Sequence, residues 1–120
     1  MLFRYASLTN DNNSDATVLS FKKLSENAFT PVKLYHTDPA FALFSAYNYL
    51  LPPHGKLWIK FDLQMHILEN FYATVIERPI SSLIYSMVVW DVILTSHDRQ
   101  NLGDVIFNLS RNSVILNKGE

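Results

Sequence analysis

The 120 residues, 48% of them hydrophobic, are enough for one compact domain with a core of its own and too few for two. Ten lysines and arginines against eleven aspartates and glutamates leave a formal charge of -1, too weak a field to steer nucleic acid or an anionic membrane surface, so neither is expected as a partner. Without cysteine, disulfides and thiolate metal sites are excluded. Met1 to Tyr5 carries no sustained apolar stretch of signal-peptide length and no run approaches the roughly 20 residues of a membrane span, so a soluble intracellular protein, cytoplasmic or nuclear, is expected.

Residues 9 to 16 are polar, turn-prone and without periodicity, which predicts a flexible N-terminal segment over 1–16 and a folded domain over 17–120. Between Val18 and Lys23 apolar and polar residues alternate as in a short strand, ended by Leu24-Ser25-Glu26-Asn27. Pro52-Pro53-His54-Gly55 reads as a turn, with proline fixing φ and glycine easing the reversal. From Leu57 to Ile67 the odd positions are all apolar, while Lys60, Asp62, Gln64 and His66 occupy even ones. A period of two over eleven residues predicts one half-buried strand. Leu68-Glu69-Asn70 should then turn the chain into a β-branched and aromatic partner strand, Phe71 to Ile76, to make a hairpin.

Pro79 to Tyr85 is a candidate short helix with proline in its first turn. Met87 to Leu94, apolar apart from Asp91, suits a strand covered on both faces. A turn at Asp98 to Asn101, a strand around Val105-Ile106-Phe107 and a last strand at Ser113 to Leu116 complete the pattern. Short strands at spacings of about 8 to 12 residues indicate an all-β sandwich or barrel with at most one short helix.

The segment Phe41-Ala42-Leu43-Phe44-Ser45-Ala46-Tyr47-Asn48-Tyr49-Leu50-Leu51-Pro52-Pro53, followed by Lys60, Asp62, Leu63 and Gln64, resembles the first signature of the trimeric dUTPases. In that family the same place reads Ala-Gly-Tyr-Asp-Leu-Tyr-Ser-Ala, an Ile-Pro-Pro turn and a Lys-x-Asp-Ile-Gln strand. Tyr72 and Val75 are similar to its Tyr-Gly-Arg-Val strand. Asn101, Gly103 and Val105 to Asn108 match its Gly-Asn-Val-Gly-Val-Val-Leu-Phe-Asn strand, and Lys118-Gly119 its Lys-Gly-Asp-Arg signature. The resemblance runs from about Ala40 to Gly119. It implies a dUTPase-like jelly roll, a homotrimer, and magnesium-dependent hydrolysis of dUTP to dUMP and pyrophosphate.

The departures fall on the family's chemistry. Ala42 stands where the resemblance puts an acidic residue of the magnesium and nucleotide site. Of Pro-Arg-Ser-Gly only Arg78 is kept, and Pro79, lacking an N–H, and Ile80, filling the glycine's space, weaken phosphate binding there. Thr95 occupies the place of the aspartate that activates the attacking water, and a hydroxyl does not accept a proton near neutral pH. Asp98 replaces the tyrosine that packs on deoxyribose, and Trp90 and Val92 replace glycines of the uracil slot. The chain stops at Glu120, so the family's last strand and glycine-rich arm are expected to be lacking, leaving an exposed edge.

No catalytic residue is therefore assigned, and the expected function is a dUTPase-like protein inactive or severely impaired in dUTP hydrolysis, repurposed as a binding or interaction domain. The alternative is a residual dUTP diphosphatase in which Arg78, Ser45 and Arg99 contact phosphates and Mg²⁺ arrives with the triphosphate. Otherwise no cofactor is expected. The four histidines, His36, His54, His66 and His97, lack zinc-ligand spacing, and Asp62, Asp91, Asp98 and Asp104 are too dispersed to imply a metal cage.

Overall fold

The computed structural model describes residues 4–9, 19–33, 40–77, 87–89 and 92–120. Its ordered elements are all strands: β1 Arg4–Thr9, β2 Leu19–Lys23, β3 Val32–Lys33, β4 Ala40–Ala42, β5 Tyr49–Leu51, β6 Lys56–Lys60, β7 Leu63–Ile67, β8 Tyr72–Glu77, β9 Met87–Val89, β10 Val92–Thr95, β11 Gly103–Asn108 and β12 Val114–Leu116. They form a five-stranded sheet in the order β10-β8-β1-β4-β3, a three-stranded sheet β6-β11-β9, and the pairs β12-β5 and β2-β7. Every pairing among the described strands is antiparallel. One continuous apolar cluster, with Leu51, Ile59, Met65, Val75, Leu94 and Leu116 among its members, draws on all four sheets. This is the all-β jelly-roll arrangement expected from the strand spacing. No helix among the described residues is long and apolar enough to cross a membrane, and the helix expected at 79–85 lies outside the described residues.

Five sequence expectations are corrected. Arg4–Thr9 falls within the stretch 1–16 expected to be a flexible lead-in, yet it forms β1, paired along its length to β8 and over Tyr5 to Ser7 to β4. Backbone pairing on both sides holds a strand whose sequence alone carries little signal. The turn after β7 exists, with Asn70 at φ 72° and the Phe71 N–H donating to the Leu68 carbonyl at 3.2 Å, but β7 and β8 are not a hairpin. β7 pairs with β2, and β8 with β1 and β10, so this turn is a corner between sheets. Likewise the apolar run from Met87 to Leu94 is two strands, β9 on β11 and β10 on β8. In the turn before β6 the left-handed residue is His54 (φ 57°), not Gly55, whose N–H donates to the Pro52 carbonyl at 3.0 Å.

The fifth correction matters most. The alternating segment keeps its parity throughout, with Ile59, Phe61, Leu63, Met65 and Ile67 all buried, but it is cut into β6 and β7 at Phe61 and Asp62. Asp62 has a left-handed backbone (φ 51°), which turns a residue due on the polar face inward until only 5% of it is exposed. Its carboxylate accepts hydrogen bonds from the Ser25 hydroxyl (2.6 Å), the Asn101 Nδ2 (2.8 Å) and the Tyr47 hydroxyl. Its carbonyl accepts the Leu24 N–H at 2.9 Å. The break therefore moves the chain from the β6-β11-β9 sheet to β2 while its backbone stays bonded. Phe61 N–H donates to the Leu102 carbonyl (2.9 Å), and Leu102 N–H to the Leu63 carbonyl (2.7 Å).

The aromatic segment of the first signature packs rather than presenting a stacking platform. Phe41 meets Phe21 edge to face at 5.4 Å, Phe44 lies 6.3 Å from Phe29, and the Tyr49 hydroxyl accepts the Lys60 N–H at 3.1 Å. At the end of β11 the wholly buried Asn108 donates through Nδ2 to the carbonyls of Leu51 and Pro52 (both 3.1 Å) and Asn112 (2.8 Å). It accepts from the Ser110 hydroxyl at 2.7 Å, joining β5, β11 and the turn before β12.

Two predictions follow from Asp62. Burial, the largest single influence, pushes its carboxyl pKa up, but the hydrogen bonds from Ser25, Tyr47 and Asn101 and the Lys60 charge together outweigh it, so the group sits below its ordinary 3.8. A depressed folded pKa contributes stability that is complete above the unfolded value and lost as pH falls through the folded one. The stability gap between wild type and Asp62→Asn, from urea unfolding, should accordingly narrow below about pH 4. At neutral pH Asp62→Ala should cost about 3 kcal/mol, since it strips the acceptor from three donors and leaves an unsupported left-handed residue. A change under about 0.5 kcal/mol in either variant would contradict this role.

Candidate functional site

β10 ends at Thr95, and the chain returns to β11 through a turn that the Asp98 side chain closes. The Asp98 N–H donates to the Thr95 carbonyl (3.1 Å), while Asp98 Oδ2 accepts from the Thr95 N–H (2.7 Å) and the Thr95 hydroxyl (3.3 Å). The Thr95 hydroxyl also accepts the His97 N–H at 3.3 Å. Asp and Thr favour such turns because a short oxygen-bearing side chain reaches backbone two or three residues away. Arg99 is tied to the same turn. Its Nη1 donates to the carbonyls of Ser96 and Asp98, and its own carbonyl accepts from Gln64 Nε2.

Against this turn lies a narrow pocket, with room for little more than one water, whose walls take in Trp58, Met65, Val92, Leu94, Thr95, Asp98, Asn101 and Gly103. Strand pairing sets its floor. Trp58 faces Val105 across β6 and β11, and Gly103, two residues before Val105, lies diagonally beside the indole. A Cβ on Gly103 would come within 3.0 Å of Trp58 Cε2 and Cζ2 and 2.5 Å of the Ile59 carbonyl oxygen. The indole thus rests directly on the glycine. The lining combines apolar walls with the polar side chains of Thr95, Asp98 and Asn101.

The sequence-predicted site residues do not converge here. Thr95 and Val92 line the pocket. Arg99 lines a separate open groove with His66, Glu69, Ser96 and His97. Ser45 lines neither. It is wholly buried, its hydroxyl donates to the Tyr47 carbonyl (2.6 Å) and accepts the Tyr47 N–H (3.3 Å), and its backbone bonds the Glu120 carbonyl (2.7 Å) and the Gly119 N–H (2.8 Å). Arg78 and Trp90 lie outside the described residues. Sequence reasoning missed Trp58. Its even position in an alternating strand marks an outward residue, and only the register against β11 shows that it meets a glycine.

The described residues do not supply a fitting cage for Mg²⁺. Ala42, where the resemblance places an acid, is a methyl group with 3% exposure. Asp62 already accepts three side-chain donors, and no cluster of three or more His, Cys, Asp or Glu among the described residues is arranged to hold a metal.

Comparison with known proteins agrees with this architecture. The sequence model of the dUTPase family matches residues 26–120, beginning upstream of the stretch carrying the motif resemblance. Deoxyuridine 5'-triphosphate nucleotidohydrolase of Mus musculus is 29% identical over 106 residues, 88% of this chain and 65% of that protein. The Oryza sativa enzyme is 31% identical over 105 residues, 88% of this chain and 61% of that protein. The chain spans between 40% and 65% of the length of the first curated relatives that it matches. Among solved structures, a dUTPase from phage phi11 of S. aureus superposes with a TM-score of 0.78 at 24% identity, over 85% of this chain and 84% of that one. Staphylococcus bacteriophage 80alpha dUTPase with dUPNHPP gives 0.78 at 26% identity, over 88% and 78%. A family match across four-fifths of the sequence, on a fold those solved dUTPases share, leaves one conclusion about descent: this chain belongs to the dUTPase family.

Proposed function

We propose that this dUTPase-family domain has lost efficient hydrolysis of dUTP to dUMP and pyrophosphate and works as a binding or interaction domain. The observation that carries the reading is Thr95. It ends β10 on the pocket wall, where the resemblance places the water-activating carboxylate, and its hydroxyl is engaged with Asp98 and the His97 N–H. An alcohol does not take a proton from water at neutral pH, and loss of a general base costs about 10²- to 10⁴-fold in rate. The buried methyl group of Ala42 removes a second acid from the family's nucleotide site. Any Mg²⁺ would accompany the triphosphate rather than be held by these residues.

One observation favours residual diphosphatase activity. Asp98 Oδ2 stands 3.3 Å from the Thr95 hydroxyl, so a carboxylate lies near the position that lost one. That oxygen already accepts the Thr95 N–H at 2.7 Å, which makes it a poor base and a good turn cap.

Pyrophosphate release from dUTP with Mg²⁺, with dTTP and UTP as controls, tests the proposal. Turnover at least about 10²-fold below a typical kcat near 10 s⁻¹ is expected. Rates above that bound, selective for dUTP, would overturn it. If slow dUTP-selective turnover is seen, Asp98→Ala should abolish it should Asp98 act as the base and leave it unchanged should Asp98 only cap the turn.

A further inference from the structure

The β10–β11 turn has a second side. Thr95 and Asp98 line the pocket, whereas Ser96, His97 and Arg99 line an open groove of about 310 Å³ whose other wall includes His66, near the end of β7, and Glu69 in the corner after it. Three of these groove side chains carry or can gain a positive charge. Lys22 adds another nearby: β2 and β7 pair Ser20 with His66 and Lys22 with Gln64, so Lys22 stands diagonally from His66 on the same exposed face. The turn fixes the Arg99 guanidinium without neutralising it. Its Nη1 donates to the Ser96 and Asp98 carbonyls, and Gln64 Nε2 bonds the Arg99 carbonyl. Asp98, the carboxylate next to it in sequence, turns the other way, with Oδ2 on the Thr95 N–H and hydroxyl. Glu69 is the one acid among the described residues that line the groove. Against Lys22 and Arg99 it leaves a single positive charge in excess, and protonation of both imidazoles raises that excess to three.

We infer that this groove is an oxyanion site, separate from the pocket, which takes a tetrahedral dianionic group of the phosphate type between the Arg99 guanidinium and the imidazoles of His66 and His97, and holds it more firmly as the imidazoles gain protons. A guanidinium presents its N–H groups in a planar fork that matches two oxygens of such an anion. Imidazolium donates from both ring nitrogens and neutral imidazole from only one, so acidification adds donors as well as charge. The Glu69 carboxylate opposes the anion at neutral pH, which confines firm binding to the acidic side. Such a site is independent of whether the pocket hydrolyses dUTP, because no polar side chain of the pocket takes part.

Sulfate is the first probe, because its charge is constant across the range in which imidazole titrates and any pH dependence then belongs to the protein. It is titrated at about pH 7.5 and about pH 5.5, by calorimetry and by NMR of the histidine ring protons, with ionic strength held constant by chloride. Affinity should rise at least about tenfold at the lower pH, with the ring resonances of His66 and His97 shifting saturably and those of His54, in the turn before β6, unmoved. Arg99→Ala should weaken binding about tenfold. Because Arg99 also ties the turn, the double variant His66→Gln, His97→Gln leaves it in place and should lose the pH response. Glu69→Gln should tighten binding about threefold at neutral pH. Glycerol phosphate binding at least as tightly as sulfate assigns the site to phosphate esters, and weaker binding assigns it to the free ion. Sulfate affinity that is the same at both pH values, a double variant that keeps the wild-type response, or shifts at His54 equal to those at His66 and His97 would each overturn the oxyanion site.

Discussion

The carboxylate of Asp62 is the constraint around which the rest of the molecule is arranged. A strand of eleven alternating residues could run straight within one sheet. Instead it is cut by a left-handed aspartate whose oxygens gather Ser25 from the segment after β2, Tyr47 from the first signature and Asn101 from the approach to β11. The cost of an unfavourable φ and of desolvating a charge is offset by charge-assisted hydrogen bonds, which are roughly twice as strong as neutral ones. The effect is reciprocal. The bond to Asp62 raises the Tyr47 phenol above its ordinary 10.0 while Tyr47 helps hold the carboxyl down. Through this one residue, the β6-β11-β9 sheet and the β2-β7 pair become parts of a single closed body.

The same node reaches the pocket. Asn101 spends its amide nitrogen on Asp62 and so presents its oxygen unmatched, while the turn one side chain away is capped by Asp98 on Thr95. On the function proposed above, pocket geometry and chemical competence have come apart. Strands and turns follow the dUTPase-family fold, the pocket wall carries the Thr95 hydroxyl, and the Trp58 indole lies against Gly103. A scaffold depends on many buried apolar contacts and a reaction on a few side chains, so a fold can outlast the chemistry it once carried.

How much of this was legible in the sequence depended on the kind of interaction. Burial parity from Leu57 to Ile67 was readable, because side-chain alternation is a local property of extended chain. The break at Asp62 was not, since an aspartate on the polar face of an alternating strand carries no mark of positive φ or of three distant donors. Asn70 signalled a turn correctly, but which strand β7 joins is decided by Leu19–Lys23, some forty residues earlier, and no local pattern states that choice. β1 is held by neighbours on both sides, with little signal of its own. In the pocket, Thr95 and Val92 were found through motif resemblance, whereas Trp58 required the cross-strand register with β11. Ser45 matched the family yet proved to be a buried turn hydroxyl, a role its sequence context also allowed.

Asn108 shows how completely packing can overrule a sequence motif. Asn108-Leu109-Ser110 has the form of an acceptor for N-linked sugar, a modification that needs an accessible carboxamide on the surface. Here the amide nitrogen is shared among three carbonyls and the serine hydroxyl that completes the tripeptide is turned back onto the asparagine. A transferase meeting the folded chain would find its target atom inside the protein, so an oligosaccharide at this position would report a polypeptide captured before β5, β11 and β12 had closed together.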